Sequence, residues 1–382
     1  MEEFLDIKLI QTDTIANAND FYNRSHARAR SIGQWKWEFQ PDTYPFSGTP
    51  YVVVTDNGAA IGTQAMLPIR MIDRDGLFWT AKSEETLLDP AYRGKQLFEK
   101  MYHLLFEYSK KNDIHSIWGF TSATKAFKRL GFQTPGKTSQ LFFPFGGKAA
   151  YHLLPHLQSH PQPQRQSGLK TRSYCFGVFL AAKIAALRNS MSGSGQIDII
   201  NKQKFKILTL ENPPDQAGEI CKNFIKIWGG LTIYRDREYL DWRLFKNPYV
   251  KSIFRAAYLD NELIGWSALA MDDGGMGYFV DLFLAIDDDE NNTIHSQVIS
   301  ALLKDGISCL RKMGAAGIRC WQVNNHPFDK LVTKTARRIG FYHMKKGHEV
   351  VCFIDPDSSR KNSIASFDNW YITRIYTEGI SG

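Results

Sequence analysis

Along this chain, apolar positions alternate in some segments and recur every three to four residues in others, the periods of strands and helices. Leu5 to Ile10 predicts a first strand and Thr14 to Ala27 a helix. Tyr51 to Thr55 predicts a strand ending in the turn signal Asp56-Asn57-Gly58, and Ala60 to Met71 predicts the next strand. Lys82 to Leu88 reads as a third strand, ended by Pro90. Leu97, Phe98, Met101, Leu104, Leu105 and Tyr108 line one face of a helix from about Gly94 to Lys111. Ser116 to Phe120 is strand, Ala123 to Leu130 a shorter helix closed by Gly131, and Phe132 onward strand again.

A second succession of the same kind follows. Strands are predicted at Phe205–Leu210, Phe254–Leu259, Leu263–Met271, Tyr278–Leu284 and Gly317–Trp321. Helices are predicted at Pro214–Ile227, Asp236–Phe245, Ile294–Met313 and Phe328–Ile339. Three local signals recur in the same order, roughly 205 residues apart. Trp37-Glu38-Phe39 with Pro41 matches Trp242-Arg243-Leu244 with Pro248. Asp56-Asn57 leading to Ile61-Gly62 matches Asp260-Asn261 leading to Ile264-Gly265. Arg129-Leu130-Gly131-Phe132 matches Arg338-Ile339-Gly340-Phe341. This order predicts a duplication, with an N-terminal domain over 1–146 and a C-terminal domain over 204–382. The linker 147–203 holds a Pro- and Gln-rich loop (Pro155 to Gln166), an apolar helix near Phe176 to Leu187 and a flexible break at Ser190 to Ser194. Phe367 to Tyr376 is aromatic and β-branched enough to close the second domain as a strand.

Composition narrows the class. A chain of 382 residues exceeds one ordinary core and suits two domains; 43% hydrophobic residues can fill them. Tyr174 to Leu187 is the nearest thing to a membrane span, and Lys183 interrupts it, so a buried or interfacial helix is expected and no transmembrane segment. The acidic start Met1-Glu2-Glu3-Phe4 does not resemble a secretion signal. Five scattered cysteines (175, 221, 309, 320 and 352) without a C-x-x-C pair argue against a disulfide framework or zinc cluster and for a reducing, cytoplasmic location. The net charge of +8 suits an anionic ligand such as a nucleotide cofactor. It also suits weak attraction to nucleic acid or acidic lipid, but no basic cluster with interleaved aromatics marks a nucleic-acid site.

The most informative stretch is Thr86-Leu87-Leu88-Asp89-Pro90-Ala91-Tyr92-Arg93-Gly94-Lys95-Gln96-Leu97-Phe98. A strand ends, turns through Arg-Gly-Lys and opens a long amphipathic helix. Such a turn presents free backbone N–H groups and the positive end of the helix dipole, which favour a phosphate or pyrophosphate. Gly94 permits close approach, while Arg93 and Lys95 add charge. The same residues also suit an ordinary strand–turn–helix with solvated basic side chains.

This run resembles the acyl-CoA pyrophosphate loop of the GNAT superfamily, [Q/R]-x-x-G-x-[G/A] after a strand. Arg93 takes the first position, Gln96 stands where the glycine belongs, and Phe98 occupies the last small position. The helix ending Gly131-Phe132 and the order of elements also match. The resemblance implies an α/β (α+β) fold of two tandem GNAT-like domains, each a mixed central sheet flanked by helices. It implies an N-acyltransferase using acetyl-CoA or another acyl-CoA, held by Leu87, Leu88, Arg93, Gly94, Lys95, Gln96, Leu97 and Phe98. The acceptor is expected to be a small-molecule amine such as an amino sugar or an amino-acid derivative. In the second copy the equivalent turn, Asp287-Asp288-Asp289-Glu290, would repel pyrophosphate, so the cofactor is assigned to the first.

Chemistry of this kind needs a base for the amine and donors for the thioester carbonyl. Glu84 and Glu85 are the candidate catalytic carboxylates; strand alternation sends them to opposite faces, one toward the cleft. Many family members carry a tyrosine as general acid four residues before the Gly-Phe pair. Here that position is Phe127 in the first copy and Ala336 in the second. Two rival readings remain: a Fem-type transferase drawing on charged tRNA, and a non-catalytic binding protein that kept the fold. His152, His156 and His160 are not expected to bind metal, because Pro155 and Pro161 break the helix that would align them. Asn324 and Asn325 suit either a substrate contact or a turn.

Overall fold

The computed structural model describes residues 5–27, 29–40, 45–153, 169–192, 199–200, 203–286, 293–322, 325–344 and 347–377. Pro41, the Pro155–Gln166 loop, Asp287 to Glu290 and Asn324 lie outside the described residues. The chain forms two compact units, neither of them a continuous stretch. Unit 1 comprises Met1–Lys137, Leu231–Tyr234 and His348–Asn369; unit 2 comprises Thr138–Gly230, Arg235–Gly347 and Trp370–Gly382.

Unit 1 opens with β1 (Leu5–Leu9), α1 (Ile15–His26), α2 (Ile32–Phe39), β2 (Tyr51–Asp56), β3 (Ala59–Asp73) and β4 (Gly76–Leu88). It continues through α3 (Leu97–Lys111), β5 (Ile114–Phe120), α4 (Thr124–Arg129) and β6 (Gln133–Lys137). β1 to β4 form an antiparallel meander, and β4 then runs parallel to β5. The predicted apolar face of α3 is the core of the unit: Leu97, Met101, Leu105 and Tyr108 pack with Val52, Val54, Met66, Ala81 and Ile117. On the other side of β2, Trp35 and Phe39 of α2 close on Tyr51, with ring centroids 5.2 and 5.0 Å away.

The chain enters unit 2 with β7 (Ser139–Pro144), α5 (Leu169–Met191), β8 (Ile199–Ile200), β9 (Gln203–Leu210) and α6 (Ala217–Trp228). β10 (Thr232–Ile233) returns to unit 1 and pairs with β3. A one-turn helix, Arg237–Leu240, runs into a π-helical turn, Asp241–Phe245. Then come β11 (Ile253–Leu259), β12 (Glu262–Met271), β13 (Met276–Leu284), α7 (Thr293–Lys312), β14 (Gly317–Gln322), α8 (Pro327–Ile339) and β15 (Tyr342–Met344). β16 (Glu349–Ile354) belongs to unit 1. Both units are therefore mixed sheets flanked by helices, an α/β architecture. The tail expected as a strand forms two 3-10 turns, Phe367–Asn369 and Arg374–Tyr376. Its side chains bond inward: the Tyr371 hydroxyl donates to the Leu282 carbonyl and Thr373 Oγ1 to Asp281 Oδ1 at 2.6 Å.

The two sheets share one order. Unit 1 runs β1-β2-β3-β4-β5-β16-β6, with β10 on β3; unit 2 runs β8-β9-β11-β12-β13-β14-β7-β15. The repeated sequence signals take matching forms. Asn57-Gly58 and Asp260-Asn261 are hairpin turns with positive φ at both residues, and Gly131 (φ +86) and Gly340 (φ +120) end α4 and α8.

The strand inserted beside each sheet's parallel pair comes from the other half of the sequence. β7 lies between β14 and β15 of unit 2, although it was expected with the first copy. β16 lies between β5 and β6 of unit 1. Thr138 alone separates β6 from β7, too little chain for the two-residue turn that a hairpin requires. In unit 2 the backbone at Gly347 passes so close to Thr138 that a β-carbon there would fall on the Thr138 carbonyl.

Candidate functional site

The geometry of the site begins where β4 leaves β5. Their pairing runs from Trp79↔Ile114 to Lys82↔Trp118, whereas β4 continues along β3 to Leu88. Ser83 and Gly119 still touch: a β-carbon on Gly119 would lie 3.3 Å from Ser83 Cβ. Just beyond, the register against β3 slips, with Glu84 opposite Ala65 but Leu87 opposite Thr63. Glu85 and Thr86 thus face the single residue Gln64, which is a β-bulge, and Glu85 takes φ +48. Fully buried Gln64 staples the bulge: its Nε2 donates to the Glu84 carbonyl at 3.1 Å, and its Oε1 accepts from Thr86 Oγ1 at 2.5 Å.

The bulge interrupts the alternation expected for Glu84 and Glu85. The Ser83 hydroxyl meets Tyr102 of α3 at 2.5 Å. Glu85, two residues on, reaches the other side of the sheet, where Arg30 Nη1 donates to its Oε2 at 2.5 Å and Arg30 Nη2 to its Oε1 at 3.1 Å. The Tyr51 hydroxyl also donates to Glu85. Arg30 further binds Glu38 at 3.2 Å and Asn19 Oδ1 at 2.8 Å, with its guanidinium 3.8 Å from the Tyr22 ring centroid. Burial opposes the Arg30 charge, and Glu85 and Glu38 outweigh it, so the guanidinium is held more firmly protonated than usual. Burial, then the Glu85 charge, pushes the Tyr51 phenol well above its ordinary value. Glu84 is ion-paired to Lys82 of its own strand, both side chains being largely buried.

β4 then delivers the predicted turn. Leu87 and Leu88 end the strand half-buried, and Asp89 Oδ1 accepts from the Ala91 amide at 2.9 Å to start a 3-10 turn, Pro90–Tyr92. Gly94 (φ +86) and Gln96 (φ +58) carry the chain into α3. Gln96 is the N-cap residue of α3, and its side chain caps no amide. Arg93, Gly94 and Gln96 are exposed; Lys95 Nζ stands 4.9 Å over the Tyr92 ring. Leu97 is core, and Phe98 packs edge-on against Tyr102 and Phe127 at 5.0 and 5.5 Å.

No protein-family model and no curated protein matches the sequence. Solved structures do. A GCN5-related N-acetyltransferase from Anabaena variabilis ATCC 29413 superposes with TM-score 0.58 at 9% identity, covering 92% of this chain and 72% of that one. A GCN5-related N-acetyltransferase from Kribbella flavida gives 0.55 at 11% identity, with 92% and 71% covered. A conserved protein of unknown function from Enterococcus faecalis V583 gives 0.57 at 7% identity, with 92% and 72% covered. The fold is that of the GCN5-related N-acetyltransferases.

Within this GNAT fold, Phe127 has no ionisable group and is a core residue. It is 4% exposed and sits edge-on to Phe132 and Tyr102, at 5.0 and 5.6 Å. Ala336 of unit 2 is fully buried as well. The parallel pair of unit 2 parts after Phe279↔Cys320, with a register slip where Ala268 faces Asp281 but Leu269 faces Phe279. Asp281 there is bound by Arg235, Trp266 and Thr373, all fully or nearly fully buried. Unit 2 thus repeats the carboxylate–arginine device with different residues. Among the described residues no group of three or more side chains could hold a metal, and no helix is long and apolar enough to cross a membrane.

Sequence reasoning had not singled out Arg30, Tyr51, Gln64 or Tyr102. Arg30 and Tyr51 reach Glu85 across separations of 55 and 34 residues, which no local pattern encodes.

Proposed function

We propose that the protein is an acyl-CoA-dependent N-acyltransferase, with acetyl-CoA as donor and the amine of a small molecule, such as an amino sugar or an amino-acid derivative, as acceptor. One observation carries the reading: β4 parts from β5 and leads through Arg93-Gly94-Lys95-Gln96 into an α3 N-terminus that the Gln96 side chain leaves uncapped. The amides of Leu97, Phe98 and Glu99 have no acceptor within the helix, and the dipole adds partial positive charge. Open space beyond the Gly94 α-carbon and exposed Arg93 fit a diphosphate approaching the backbone. When bound, the thioester supplies the activated acyl group.

The residues of the chain have separate tasks in this proposal. Leu87 and Leu88 line the strand end, and Arg93, Lys95 and the amides through Phe98 hold the diphosphate. Backbone N–H groups of β4 beyond its last pair with β5 donate to the acyl carbonyl. The proton of the amine is assigned to Glu84, through the oxygen other than the one paired with Lys82, because both oxygens of Glu85 accept bonds from Arg30 and Tyr51. Glu85 holds the bulge. Phe127 offers no proton, so the leaving sulfur takes one from water.

Titration calorimetry with acetyl-CoA tests this. Micromolar binding is expected, weakened about tenfold or more by Arg93→Ala, since a charged hydrogen bond to phosphate contributes ~1.5–3 kcal/mol. No binding would remove the acyl-CoA reading and leave the tRNA-dependent one. The buried Phe127 favours a second reading, a non-catalytic acyl-CoA binder. Binding without product across a panel of amines would select it.

A further inference from the structure

Helix α5 carries more apolar surface than unit 2 covers. Its inner face is occupied: Ala185 is fully buried, its backbone lies against Gly340, and the Ala181 carbonyl accepts the Tyr342 hydroxyl at 2.9 Å. The opposite face presents Phe176, Leu180, Ile184, Leu187 and Met191, spaced by four, four, three and four residues into one row. They are 62, 46, 47, 60 and 77% exposed, where a solvated helix carries polar side chains.

Charge decides what covers this row. Lys183 and Arg188 are exposed on the helix, whose sequence holds no Asp or Glu, within a chain of net charge +8. A second copy laid on this face would bring like charges together. Residues 154–168 offer only two leucines, Leu154 and Leu157, against a row of five large apolar side chains. An anionic lipid surface satisfies both features, taking the apolar row at the acyl boundary and the cations at the headgroups. The helix is not long and apolar enough to cross a membrane, which leaves it lying in the plane of the interface. We propose that α5 docks the protein on an anionic membrane surface.

Co-sedimentation of the full chain with vesicles tests the proposal. Binding is expected to vesicles of phosphatidylcholine mixed with phosphatidylglycerol, not to phosphatidylcholine alone, and to weaken as salt rises. Leu180→Gln with Leu187→Gln, and separately Lys183→Gln with Arg188→Gln, should each reduce binding about tenfold or more, given ~1 kcal/mol per cation near the surface. Their thermal midpoints should stay at the parent value, because these side chains are exposed. The proposal is overturned by three outcomes: no binding to either vesicle, binding that both variants retain, or a concentration-dependent dimer that the leucine variant dissociates.

Discussion

Arg30 grips Glu85 with two nitrogens, at 2.5 and 3.1 Å, and Glu85 is the residue at which β4 takes a positive φ. In unit 2, Arg235 grips Asp281 in the same way, at 2.9 and 3.1 Å, again beside a register slip. An extra residue in a strand relaxes the ladder that would otherwise fix it. A buried bidentate ion pair restores that constraint by tying the bulged strand to a distant segment.

Removing one partner leaves the other charged and desolvated. Arg30→Met is therefore expected to cost about 3–5 kcal/mol in urea unfolding. Arg30→Met combined with Glu85→Leu should cost clearly less than the sum of the single changes. Strict additivity would show that the two side chains act independently, against the geometry described.

Gln96 occupies the left-handed region at φ +58, which costs an L residue roughly 1–2 kcal/mol relative to glycine. Glycine loses ~0.4–1 kcal/mol of that gain to the entropy of its unfolded chain. Gln96→Gly should thus raise stability by between about 0 and about 1.6 kcal/mol and bind acetyl-CoA at least as tightly as the parent. Gln96→Val should lower the melting temperature, because a β-branched side chain tolerates this backbone poorly. Melting curves and calorimetry on both variants check the pair; a Gly variant that loses acetyl-CoA binding would show that the Gln96 side chain is itself a ligand.

Much of the fold was legible because it is local. Alternation located β2 and β3, the apolar stripe located α3, and Asp56-Asn57 and Asp260-Asn261 marked hairpins that exist. The short α2 was hidden, because Trp35, Trp37 and Phe39 alternate as a strand would; the Ser31–Gln34 capping box was the signal available. The turn at Arg93 to Gln96 could be read from composition, but the bulge could not. A one-residue slip changes no residue type and only redirects side chains, so the engagement of Glu85 with Arg30 and Tyr51 appears only in three dimensions. The exchange of β7 and β16 was equally silent, since alternation describes a strand and not its neighbour.

His326, at the N-cap of α8, is fully buried between two backbone groups. Its Nδ1 accepts from the Phe328 amide and its Nε2 donates to the Gly229 carbonyl, each at 3.3 Å. Both roles belong to the neutral ring, and a second proton would face the Phe328 N–H. Burial pushes its pKa down to about 4. Stabilisation by the neutral ring is fully present above the unfolded value of ~6.5 and is lost as pH falls through 4, a loss of about 3 kcal/mol. His326→Asn should flatten the stability profile across that window in urea unfolding at several pH values. An NMR titration placing His326 near 6.5 in the folded protein would refute the assignment.

The exchanged strands predict which polypeptide can stand as unit 1. Residues 1–146 alone lack β16, whose Val350, Val351 and Cys352 are all but fully buried between β5 and β6. Losing those side chains forfeits on the order of 5 kcal/mol of apolar burial, comparable with the whole stability of a domain. It also exposes the ladder edge of β5 to association. This fragment should therefore lack a cooperative unfolding transition. The remedy follows from the register: Lys137 at the end of β6 stands opposite Glu349 at the start of β16, in an antiparallel pair. A two-residue Asn-Gly turn joining them matches the type I′ hairpin that such a pair accepts. Residues 5–137, that turn and residues 349–369 still lack the two-residue β10 on β3, but should regain the cooperative unfolding transition that residues 1–146 lack, observable by calorimetry and by dispersed amide resonances. If the plain fragment folds as well as the joined one, β16 is dispensable and the exchange does not define the unit.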